Sequence, residues 1–63
     1  MNKNRLKEER IAHKLTQKQV AERLNVSTST YQKYENYERG VPEEIYKKLA
    51  KLYNTSVDYL MGM

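Results

Sequence analysis

Apolar positions along the chain fall into short clusters separated by polar turns, and one cluster repeats with the period of an α-helix. Ile45, Leu49, Leu52 and Tyr53 stand at i, i+4, i+7 and i+8. Pro42 ahead of this run suits the first position of a helix, where its missing N–H has no partner to lose. Glu43 and Glu44 complement the positive end of the helix dipole. The helix predicted there ends at Asn54, a residue type that enters the left-handed conformation cheaply. Ser56 then caps a final turn carrying Val57, Leu60 and Met61. At the other end, the stretch Asn4 to His13 has only Leu6 and Ile11 as strong apolar anchors among Lys and Arg, which predicts a mostly solvated first helix.

Between these lie two short helices. Thr16 is an N-cap candidate for a helix over about residues 17–24, with Val20, Ala21 and Leu24 on its inner face and Asn25 ending it. Ser27 caps the next, over about residues 28–36, and Val26 and Tyr31 have the spacing of a hydrophobic staple. At about 100° per residue Tyr31 and Tyr34 point one way, whereas Thr28, Ser29, Gln32, Lys33 and Asn36 share the opposite face. That face is polar and carries no acid. Tyr37 to Val41 is a loop. The expected fold is all-α, a compact bundle of five short helices forming a single domain over residues 1–63.

Composition narrows the function. Sixty-three residues bury only a modest core, so an isolated monomer is expected to be marginally stable and to draw support from self-association or a ligand. No apolar run approaches the ~18 residues that cross a bilayer, and the charged N-terminus lacks a signal peptide's apolar stretch, which predicts a cytoplasmic protein. Cysteine is absent and His13 is the only histidine, which leaves no thiol nucleophile and no metal set. With no phosphate-cradling glycine loop either, an enzyme and a cofactor are both unexpected. His13 reads as a solvated or half-buried helix-end residue. The net charge is +4, and it is uneven: residues 1–40 hold nine Lys or Arg against five acids, while residues 41–63 hold three of each. The first two-thirds is the side expected to meet an anion.

The run Thr16 to Asn36 joins cap, short helix, tight turn, cap and polar-faced helix. Ala21 supplies the small side chain that two steeply crossing helices need where they touch. The outer face of the second helix offers donors and acceptors suited to base edges and phosphates, Gln17 and Lys18 can present backbone N–H groups and side chains to a phosphate, and the Tyr37 hydroxyl can donate to one. Double-stranded DNA is the expected partner.

The same residues carry a resemblance. Leu15-Thr16-Gln17, Val20-Ala21, Leu24-Asn25-Val26-Ser27, Tyr34-Glu35-Asn36 and Ser56-Val57-Asp58-Tyr59-Leu60 make the chain similar, along nearly its whole length, to the phage-repressor-like (lambda repressor, Cro or Xre type) helix-turn-helix family. The resemblance implies that Gln17 and Asn36 grip phosphates, that Thr28, Ser29, Gln32 and Lys33 approach base edges, and that Arg10 pairs with Glu35. It implies a transcriptional regulator, a repressor of phage or mobile-element type. The chain departs from the family where Lys14 and Asn25 replace the usual glycine, where Tyr31 replaces a compact Val or Ile, and in the Tyr37 to Val41 loop, which lacks the usual early glycine.

Val57, Tyr59, Leu60, Met61 and Met63 crowd the C-terminus with more apolar surface than a unit of this size needs. They are expected to form the seam of a two-fold homodimer, with simple core closure as the alternative. A protein-interaction module, an antitoxin or adaptor for which DNA is secondary, stays open beside the DNA-binding expectation.

Overall fold

The computed structural model describes residues 4–62, and among them five α-helices follow one another: α1 (Leu6–Ala12), α2 (Gln17–Leu24), α3 (Thr28–Glu35), α4 (Glu43–Tyr53) and α5 (Val57–Met61). Their starts follow from hydroxyl side chains. Thr16 Oγ1 accepts from the Gln19 backbone N–H at 3.0 Å while the Gln19 side chain accepts from the Thr16 N–H at 2.8 Å, a capping box at the head of α2. Ser27 Oγ accepts from Thr30 N–H ahead of α3, and Ser56 Oγ from Tyr59 N–H ahead of α5, each at 3.1 Å. Pro42 sits one position earlier than expected. It is the N-cap of α4, not its first residue, and its carbonyl accepts from the N–H groups of Ile45 and Tyr46.

All five helices end alike. A residue in the left-handed conformation follows each one, namely Lys14, Asn25, Tyr37, Asn54 and Gly62, with φ between 55° and 83°. After α1 to α4 the next N–H also reaches back into the last turn, as Leu15 does to Arg10 O at 3.0 Å and Glu38 to Lys33 O at 3.0 Å, which satisfies carbonyls that a helix end leaves open. The turn after α3 therefore keeps its left-handed geometry although Tyr37 stands where glycine is usual.

The core is built from one face of every helix: Leu6, Val20, Leu24, Tyr31, Leu49 and Leu60 are fully buried. α2 packs chiefly on α3, and α4 on α5. Two expectations fail here. Ile11 is 55% exposed and anchors nothing. It lies five residues from Leu6, about 140° around the helix from the inward face, and that face is completed by Arg10 instead. Leu60, expected at a dimer seam, is 0% exposed and closes the chain's own core. Its backbone ties the two ends of the fold together, because Leu60 O accepts from Arg5 N–H at 2.8 Å. The Arg5 guanidinium also donates to Tyr59 O at 2.8 Å and lies 4.4 Å from the centre of the Tyr59 ring.

The core carries one polar cost. The buried hydroxyls of Tyr31 and Tyr53 have no hydrogen-bond partner of good geometry among the described residues. Burial pushes the Tyr53 hydroxyl up to about 12 and the Tyr31 hydroxyl further still. Tyr53→Phe removes a desolvated group and is expected to raise stability at neutral pH by about 1 kcal/mol. The contribution of a raised tyrosine is complete below its ordinary value of 10.0 and lost as pH climbs through about 12. The phenylalanine variant should accordingly show a shallower alkaline fall in stability than the parent, as read from urea denaturation at neutral and at strongly alkaline pH.

Candidate nucleic-acid interface

The inner side of α3 is fixed by Tyr31 and Tyr34, both buried, with ring centroids 6.5 Å apart in edge-to-face geometry. Tyr31 fills its position fully where a smaller residue is usual, and its length carries the hydroxyl toward Glu35. With that side committed to the core, α3 turns its other side to solvent: Ser29, Gln32 and Lys33 are exposed and Thr28 half-buried. No segment among the described residues covers them.

Glu35 organises the ground behind this face. Its side chain is 2% exposed and is held by Arg10, whose Nε donates at 2.6 Å and Nη2 at 3.4 Å. Burial works against the carboxylate's charge, but hydrogen bonds from Arg10 and Gln17 and the charge of Arg10 outweigh it and hold the group below the usual carboxylate range. Arg10 in turn is raised by the same pairing. Its Nη1 donates to Leu15 O at 2.9 Å, so a single guanidinium fixes both the end of α3 and the turn leading into α2.

Gln17 connects this buried pair to the outer face. Its Nε2 donates to Glu35 Oε1 at 3.0 Å and its Oε1 accepts from Gln32 Nε2 at 3.1 Å. A chain of contacts thus runs Arg10, Glu35, Gln17, Gln32, from the interior to the solvent. The link between Gln17 and Gln32 crosses two helices, fifteen residues apart, and no periodicity within one helix signals it. Lys18 is exposed one residue beyond Gln17. At the other end of α3, Asn36 and Tyr37 are exposed, with Asn36 Nδ2 donating to Glu38 Oε2 at 3.3 Å. The residues expected at base edges and those expected at phosphates therefore lie on two adjoining elements joined at Glu35.

The C-terminal set divides. Leu60 is spent in the core, Val57 is half-buried, Tyr59 and Met61 are 41% and 40% exposed, and Met63 lies outside the described residues. Val57 and Met61 border a groove that Val41, Tyr46, Glu43 and Asp58 complete. Elsewhere, no helix of the described residues is long and apolar enough to cross a membrane, and none of their His, Asp and Glu side chains group in a way that could hold a metal ion.

A family model described as helix-turn-helix matches residues 6–60. Over 59 residues the chain is 42% identical to the uncharacterized HTH-type transcriptional regulator YobD of Bacillus subtilis strain 168, a match covering 94% of this chain and 53% of that protein. Over 58 residues it is 43% identical to the HTH-type transcriptional regulator ImmR of the same organism, covering 92% of this chain and 46% of the relative. The chain thus spans about half the length of these curated relatives. No solved structure gives a significant match.

Proposed function

The chain belongs to the helix-turn-helix family, and from that premise we propose that it is a sequence-specific transcriptional regulator that reads double-stranded DNA by laying α3 in the major groove. Thr28, Ser29, Gln32 and Lys33 approach base edges, and Gln17, Lys18, Asn36 and Tyr37 hold the sugar-phosphate backbone on either side. One observation carries this assignment: Gln32 is both exposed and steered, because Gln17 holds its amide and Glu35 holds Gln17. A side chain already aimed loses less freedom on meeting a base than a wandering one. Both relatives are named as transcriptional regulators, in keeping with this role.

The regulator acts in the cytoplasm as a homodimer on a pseudo-palindromic operator, a repressor of phage or mobile-element type, and needs no cofactor. Val57 and Met61, with Tyr59 at the rim, form the two-fold seam, and half-sites then recur about one helical turn, ~34 Å, apart.

Selection of bound duplexes from a random pool, followed by affinity measurements, tests the assignment. Gln32→Ala and Lys33→Ala are each expected to relax preference at a defined base pair by about 1–3 kcal/mol. Gln17→Ala is expected to weaken binding to every site and, because Gln17 orients Gln32, also to blunt discrimination at the Gln32 position. Unchanged footprints and preferences in the Gln32 and Lys33 variants would remove α3 as the reading helix. Failure of the parent to bind random duplex in a manner that salt reverses would point instead to a protein-interaction module.

A further inference from the structure

The left-handed residues that end the helices are of two kinds. After α2, α4 and α5 they are Asn25, Asn54 and Gly62, types that take this geometry at little cost. After α1 and α3 they are Lys14 at φ 58° and Tyr37 at φ 62°, where an L side chain is strained. Both are exposed, and both flank the same joint: Lys14 precedes Gln17 by three residues and Tyr37 follows Glu35 by two. Neither side chain belongs to the buried core. Lys14 enters no ion pair among the described residues, and Tyr37 is 53% exposed. Asparagine would make either turn with less strain.

The stalk of Lys14 is also rigid. Lys14 N–H donates to Ile11 O at 2.9 Å, Leu15 N–H donates to Arg10 O at 3.0 Å, and Arg10 Nη1 donates to Leu15 O at 2.9 Å. The arginine that neutralises Glu35 thereby also fixes the backbone on which Lys14 rides. Lys14 is exposed, enters no ion pair among the described residues, and stands four residues ahead of the exposed Lys18.

We propose that Lys14 is a DNA-backbone contact, binding a phosphate next to the one approached by Gln17 and Lys18, as Tyr37, already placed on the backbone above, does at the far end of α3. The proposal rests on the DNA-binding reading above. It accounts for turn strain falling at these two helix ends and not at the others.

The test compares the parent with Lys14→Asn and Lys14→Arg, measuring fluorescence anisotropy of a short labelled duplex across a range of potassium chloride concentrations, together with thermal unfolding. Asparagine keeps the turn and removes the charge. It is expected to lower the slope of log K against log salt by about 0.9 per protomer, to weaken low-salt binding several-fold, and to raise the unfolding midpoint by roughly 4 °C. Arginine is expected to keep the parental slope. A Lys14→Asn variant with parental slope and affinity, in a parent that does bind, overturns this proposal alone. A parent that shows no salt-reversible binding overturns both this and the reading it rests on.

Discussion

Glu35→Ala is expected to unfold the protein at room temperature or leave it barely folded. Removing one partner of a buried ion pair strands the other charge in the interior, a loss of about 3–5 kcal/mol, whereas a chain of this length commonly holds only about 3–9 kcal/mol in total. Here the stranded group is Arg10, whose side chain is 13% exposed and, among the described residues, keeps only Leu15 O as an acceptor. Gln17 loses its anchor at the same stroke. Urea denaturation followed by circular dichroism measures the loss, and a drop under about 1 kcal/mol would mean that water reaches the pair and screens it.

The companion variant separates fold from recognition. Replacing both charges with apolar residues of similar volume, Arg10→Met with Glu35→Leu, leaves no charge unpaired and should recover much of the stability. DNA affinity should not recover with it, because Gln17 would still have no carboxylate to hold it in place for Gln32. The carboxylate also sets an acid limit. Glu35 is held below its ordinary value of 4.5, so its contribution is complete above that pH and fades as pH falls through the lowered value. Glu35→Gln should flatten this acid limb.

These contacts mark where sequence alone stops informing. Thr16, Ser27 and Ser56 cap because their hydroxyls act within four residues of chain, and Asn25 and Asn54 end helices for equally local reasons. Such features are legible one residue at a time. The apolar stripe of α4 is legible for a related reason, since its own period decides which residues face inward: Ile45, Leu49 and Tyr53 are all buried. Ile11 misled because α1 is a seven-residue helix whose inward face is completed by a charged residue, and hydrophobicity gives no hint that Arg10 belongs inside. Tyr37 hid its turn behind an unsuitable side chain. The candidate site was legible as a face but not as a mechanism: the exposure of Ser29, Gln32 and Lys33 follows from the burial of Tyr31 and Tyr34, whereas the hold of Gln17 on Gln32 depends on how two helices cross.

Leu60 is the sharpest case, and the substitutions that settle it pull in different directions. A C-terminal apolar cluster can close a core or open a seam, and both need the same residue types. The structure divides the work within one turn of α5, with Leu60 fully buried and Met61 40% exposed. Leu60→Ala is therefore expected to cost about 2–5 kcal/mol, the transfer of the lost methyl and methylene groups plus the cavity they leave. Because that cost belongs to the monomer, it should not change with protein concentration. Met61→Ala is expected to leave the dilute protein within about 0.5 kcal/mol of the parent. If the seam lies along Val57 and Met61, the variant should instead abolish the parent's gain in unfolding midpoint with rising protein concentration, since association stabilises by mass action. Thermal unfolding across a concentration series, with sedimentation equilibrium, reads both. A mild, concentration-dependent loss in Leu60→Ala would return that residue to the seam. A concentration-independent midpoint in the parent, even at high loading, would place dimerisation outside α5.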